Sequence, residues 1–145
     1  LLYFLHPIAL LGQRNIINVW VSDRKTKWDL GWDIGNLDLS ILVAYKLKMN
    51  WGARIRLITV INNPEEAEKA QDFLNLLINL ARLPETLTEV VVGDFNTVIT
   101  QAPGADLNIF GMDDDLKFNF VREMSAKTKS TCLFVKDSGH ESILA

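Results

Sequence analysis

Apolar and polar positions alternate along this chain in two rhythms. Short runs of β-branched and aromatic residues recur at Ile16–Val21, Arg54–Ile61, Glu89–Val92, Asp106–Gly111 and Thr131–Val135. Each is bounded by Gly, Pro, Asn or Asp, as strands are. Ile16-Ile17-Asn18-Val19-Trp20-Val21 is the most continuous of them and reads as a strand covered on both faces. Between the runs the spacing turns helical. Leu37, Ile41, Leu42, Tyr45 and Met49 mark a helix over 37–50, with Asn36 or Asp38 able to cap it and Asn50-Trp51-Gly52 ending it. Val43 and Ala44 widen its apolar surface beyond one stripe, which suits either a well-covered helix or one that meets a second domain or subunit. Asn63-Pro64-Glu65-Glu66 is a helix start with a capping Asn, Pro at the first position and acids in the first turn. That helix is expected to run to about Leu83. Residues 95–101 allow only a turn or two of helix, and a last one is expected from Leu116 to Lys127.

Strand and helix therefore alternate, which predicts an α/β fold: an open, mainly parallel five-stranded sheet with helices on both faces and right-handed crossovers. Leu1–Leu5 adds a short extra N-terminal strand, and Pro7–Gln13 a connector. The opening run is too short, and too interrupted by His6-Pro7, to match the ~18 apolar residues of a membrane span. The expected organisation is residues 1–15 as strand and connector, left from a preceding domain or marking a cut from a larger protein, 16–140 as the α/β domain, and 141–145 as a tail.

The connection after the first parallel strand departs from this economy. Loops between strand and helix usually take roughly two to six residues. Residues 22–36 are more than twice that and include Asp23, Arg24, Lys25, Lys27, Trp28 and Trp32. In open parallel sheets, ligands and partners bind outside the carboxyl ends of the strands, where this loop is expected. Those six residues are the candidate site. The two Trp side chains, spaced i, i+4, either plug the crevice above the sheet or dock a partner.

Composition narrows the chemistry. The net charge of −3 and the lack of a basic stripe argue against nucleic acid. The single Cys132 sits in an apolar run and reads as a buried core thiol. Two histidines and one cysteine make a zinc site a poor fit, and His6 reads as structural. Asp113-Asp114-Asp115 suits a helix cap better than a metal site. Ser138, His140, Glu141 and Ser142 are adjacent in sequence, but a hydrolase triad needs convergence in space and an oxyanion hole.

The run Ala105-Asp106-Leu107-Asn108-Ile109-Phe110-Gly111, followed by a helix and the closing Cys132–Val135 strand, resembles the second half of a universal stress protein. Asn18–Asp23, Leu37–Leu39 through Tyr45–Leu47, and Asn50-Trp51 leading into Arg54–Leu57 resemble more closely the cytosolic C-terminal domain of prokaryotic cation-chloride cotransporters. That domain is similar to two universal-stress-protein-like halves in tandem. The resemblance implies a Rossmann-like fold and a non-catalytic regulatory and dimerisation domain, on the cytoplasmic side of the membrane. The implied partners are the preceding half, the transporter's membrane domain and a second subunit.

The alternative is a stand-alone stress-type protein with a degenerate nucleotide site. Nucleotide-binding members of that family follow the fourth strand with Gly-x-x-Gly and, about nine residues on, Gly-Ser or Gly-Thr. Gly111 matches the first glycine, but the second falls on Asp114 and the third on Met124 before Ser125. Phosphates need free backbone amides, and carboxylates in their place repel them. No nucleotide and no cofactor is expected.

Overall fold

The computed structural model describes residues 1–21, 37–111 and 117–136. Its elements, in chain order, are β1 (Leu2–Phe4), β2 (Ile16–Val21), α1 (Leu37–Trp51), β3 (Arg54–Ile61), α2 (Ala67–Leu80), β4 (Leu87–Val92), α3 (Phe95–Val98), β5 (Leu107–Gly111), α4 (Phe118–Thr128) and β6 (Thr131–Val135). One sheet holds all six strands in the order β1-β6-β5-β2-β3-β4. The five strands β2 to β6 are parallel, while β1 pairs antiparallel with the outer edge of β6, Tyr3 opposite Leu133. Counted among themselves, the parallel strands stand in the order 3-2-1-4-5 of a doubly wound fold.

The period of two in each strand divides the core. Ile17, Val19, Val21, Ile55, Leu57, Leu107, Ile109, Leu133 and Val135 point to the face covered by α1 and α2. Trp20, Ile58, Phe110, Cys132 and Phe134 point to the face covered by α3 and α4. Both faces of β2 are buried, as its near-continuous apolar sequence requires.

Element boundaries shift from expectation for local reasons. Asn63 does cap, its Oδ1 accepting the Glu65 N–H at 3.0 Å, but the first turn is 3-10 (Pro64–Glu66) and α2 proper follows it. The helix ends at Leu80, short of Leu83. Arg82 takes a left-handed φ of 52° and Leu83 folds back into the core, its N–H bonding to the Ile78 carbonyl. β4 begins two residues early, at Leu87, because Leu87 lies opposite Arg56 and extends the ladder. α4 runs from Phe118, with Lys117 extended before it, and closes at Lys129 with φ 52°; Leu116, the expected start, lies outside the described residues.

β5 begins at Leu107 because Asp106 is committed elsewhere. Its carboxylate accepts backbone N–H groups from Gln13 (3.2 Å), Asn15 (2.7 Å) and Ile16 (3.0 Å), and its own N–H donates to the Ile16 carbonyl. This clamp fixes where the connector enters β2. Gly12 makes room for it: φ is +53°, and a Cβ there would lie 2.1 Å from Asp106 Oδ1.

His6 holds the start of the same connector. Its Nδ1 accepts the N–H groups of Ile8 (3.2 Å) and Ala9 (3.0 Å), and its backbone N–H donates to Thr131 Oγ1 (3.0 Å). The Thr131 hydroxyl donates in turn to the Leu10 carbonyl.

Candidate functional site

The crevice of a doubly wound sheet opens where the chain leaves neighbouring strands in opposite directions. Here those strands are β2 and β5, with β3 on one side and β6 on the other. The segments that follow them, 22–36 and 112–116, lie outside the described residues. So do all six candidates, Asp23, Arg24, Lys25, Lys27, Trp28 and Trp32, together with Asn36, Asp113–Asp115 and Ser138–Ser142. What the structure describes is the floor beneath the crevice.

On the α3 and α4 side that floor is aromatic. The Trp20 ring stacks on Phe110 with centroids 5.7 Å apart, and Phe110 on Phe134 at 5.4 Å. Phe95 meets Trp20 edge-on at 5.8 Å, and Phe120 meets Phe134 the same way at 6.0 Å. These are the offset and T-shaped geometries that aromatic quadrupoles favour. They tie α3 and α4 to the three central strands and fill the volume below the crevice.

A polar row runs beside the rings. Register sets Arg56, Asn18, Asn108 and Cys132 opposite one another across four strands. Arg56 Nη1 donates to Asn18 Oδ1 (3.2 Å), while Asn18 Nδ2 donates to Asn108 Oδ1 (3.2 Å) and to the Pro103 carbonyl (3.0 Å). Asn108 Oδ1 also accepts the Trp20 Nε1–H (2.9 Å), and Asn108 Nδ2 donates to Ser130 Oγ. Asn18 and Asn108 are fully buried, so each must be paired, and each is. The sequence carried this signal, since an Asn at the same depth in two apolar strands calls for a mutual partner, but reading the strands as apolar runs missed it.

The neighbouring hydroxyls bond to backbone. The Ser125 hydroxyl donates to the Ser130 carbonyl and the Thr128 hydroxyl to the Met124 carbonyl. Cys132 is buried, and burial pushes its thiol up to about 11, which keeps it protonated at neutral pH. Among the described residues no group of three His, Cys, Asp or Glu side chains converges to hold a metal ion. A pocket of about 100 Å³ opens between β4 and α3, with Trp20 as its floor and Glu89, Gln101 and Pro103 among its walls. It is small against the roughly 300–1,000 Å³ of ordinary ligand pockets.

The described residues thus define a doubly wound α/β domain of the Rossmann-like class whose interior, below the crevice, is closed by its own side chains. The family follows from comparison. A model of the prokaryotic cation-chloride cotransporter C-terminal domain, second part, matches residues 12–144, and the chain belongs to that family. The crystal structure of the cytoplasmic domain of a prokaryotic cation chloride cotransporter is similar at TM-score 0.87 and 36% identity, over 98% of this chain and 54% of that one. The chain therefore spans about half the length of that solved domain. No curated protein matches. No described helix is long and apolar enough to cross a membrane.

Proposed function

We propose that this chain is a non-catalytic regulatory and dimerisation domain on the cytoplasmic side of a cation-chloride cotransporter, acting by contact rather than by chemistry. The observation that carries the reading is the family match over residues 12–144, joined to coverage of 54% of a solved cytoplasmic domain. Its partners are then the preceding half of the same domain, the transporter's membrane domain and a second subunit. Such a domain regulates by making different contacts in different transporter states, since only a differential interaction shifts a conformational equilibrium. The reading without nucleotide rests on the sequence after β5, where Gly111 is followed by Asp113, Asp114 and Asp115 in place of a second glycine that would free a backbone amide for phosphate.

An antibody to this chain, used on fractionated native cells, tests the reading. The expected result is a large band that stays with carbonate-washed membranes. A soluble band near 16.4 kDa overturns it. Within the reading, residues 22–36 either plug the crevice or dock a partner; docking predicts that Trp28→Ala with Trp32→Ala in the intact cotransporter changes transport rate or domain association. Unchanged values of both remove the loop from the mechanism.

A further inference from the structure

We propose that the end of the domain where the parallel strands begin is a docking surface for anionic lipid headgroups, an inference that rests on the cotransporter reading and adds a surface to it. The fold gathers cations at this end from separate segments, none of them basic on its own. Arg54 and Arg56 open β3. Crossover helices run against the strands, so α1, α2 and α4 all finish here. Lys48 stands in the last turn of α1, Arg82 just beyond α2, and Lys129 closes α4. Lys48 Nζ donates to the Pro84 carbonyl at 2.6 Å, which ties the end of α1 to the turn before β4.

The connector brings Arg14 to the same place. It passes beneath the sheet, its Leu10 carbonyl bonded to Thr131 at the start of β6 and its Asn15 carbonyl accepting the Arg54 N–H at 2.8 Å. The Arg14 guanidinium lies 5.9 Å from the centre of the Trp51 ring at the end of α1. Arg14, Arg54, Arg82 and Lys129 are exposed, and Arg56 and Lys48 half-buried. Among the described residues few carboxylates oppose them. Asp106 is occupied by three backbone N–H groups, Glu123 pairs with Lys127 at 2.6 Å, and Glu85 is exposed. Acids gather at the other end, where Asp38, Glu65, Glu66, Glu68 and Asp94 lie in the first turns or caps of α1, α2 and α3.

Apolar side chains project among the cations. Ile8 is 87% exposed and Leu10 51%, in a turn that His6 holds by accepting the Ile8 and Ala9 N–H groups. This mixture selects the occupant. Protein interfaces shed charge at their apolar centre. An anionic leaflet takes both kinds of group at one depth: cations meet the headgroups while apolar tips enter the boundary with the acyl chains. Strands about 4.8 Å apart spread the cations from β6 to β4 over about 20 Å, a front rather than a pocket. The preceding half, on the cotransporter reading, joins at Leu1, and β1 runs against β6 with Leu2 opposite Phe134, so that half enters away from this end.

Fluorescence quenching in the intact cotransporter tests this. Ile8→Cys carries an environment-sensitive fluorophore on a background without other reactive cysteines; native Cys132 is silent because it is buried and protonated. In nanodiscs of phosphatidylcholine with phosphatidylserine, lipids spin-labelled at the headgroup are expected to quench the Ile8→Cys label. In phosphatidylcholine alone they are expected to leave it bright. Phe118→Cys, at the start of α4 and 69% exposed, is expected to stay bright in both. Arg54→Glu with Arg82→Glu is expected to lower the ratio of docked to free domain at least about ten-fold, since each cation near the surface is worth roughly five-fold, with the unfolding curve unmoved. Emission at Ile8→Cys that ignores lipid charge, or quenching at Phe118→Cys instead, overturns the surface and leaves the cotransporter reading standing. So does a cross-link from Ile8→Cys to another segment of the cotransporter, which assigns this end to protein. A soluble band near 16.4 kDa in the fractionation removes the reading and the surface with it.

Discussion

Asp106 is the residue on which the entry to the sheet depends. Three backbone N–H groups from Gln13, Asn15 and Ile16 share its carboxylate. Bonds to a charged acceptor are each worth about 1.5–3 kcal/mol, less where water competes, as it does here. Asp106→Ala is expected to lower unfolding free energy by about 2–4 kcal/mol in a urea titration. Gly12→Ala combines a left-handed φ with a collision against the same carboxylate, and is expected to cost about 1–3 kcal/mol in the same assay. The Asp in the Ala105-Asp106-Leu107 run was legible in sequence as part of a family resemblance, but not as a clamp, because its partners lie about ninety residues away.

Cys132 makes a pH prediction. Burial raises its thiol from 9.0 to about 11 in the folded chain. Between those values the unfolded thiol has released its proton and the folded one has kept it, so unfolding releases a proton and rising pH favours it. This group's contribution is fully present below pH 9 and declines as pH climbs toward about 11. Cys132→Ser is expected to flatten that decline in denaturant midpoints taken from pH 8 to 11. The sequence placed Cys132 in the core correctly, since a thiol inside a Thr-x-Leu-Phe-Val run has no other residence in a parallel strand.

At the scale of elements, alternation of strand and helix was readable because each period, 2 or 3.6, persists over whole segments. Ends were less readable, because tertiary partners set them: β4 gains residues by pairing with β3, and α2 loses residues when Leu83 turns into the core. Strand order was not readable at all, being a property of crossovers rather than of any one segment. The short strand at the start proves to have a structural task. β1 covers the edge of β6, where open backbone groups invite pairing with other chains. Removing residues 1–5 is expected to expose that edge, and concentration-dependent aggregation followed by light scattering checks it.

Across the whole molecule, the two apolar layers share the same strands, so neither can loosen without the other. Opening free energies are expected to follow the sheet order. Amides of β2 and β5, each flanked by parallel strands on both sides, should exchange slowest, and those of β1 and β4, at the edges, fastest. Hydrogen exchange read by NMR or mass spectrometry checks the ranking. The candidate site was the least legible part. Sequence length and composition point to residues 22–36, which lie outside the described residues, while Trp20, Asn18, Asn108, Phe110 and Phe134 are brought together by strand register. Register brings residues together from four segments, and no single stretch of sequence displays it.

The way β1 is fastened has a mechanical meaning. It lies antiparallel along β6, and His6, Thr131 and Asp106 stitch the following connector to the starts of β6, β2 and β5. A tug on polypeptide ahead of Leu1, directed along the strand axis, loads these bonds in shear, all at once, instead of peeling them singly. The connector then behaves as a strut and not as a tether. Within the proposed reading, displacement of the preceding half is delivered to the sheet as movement of the whole body.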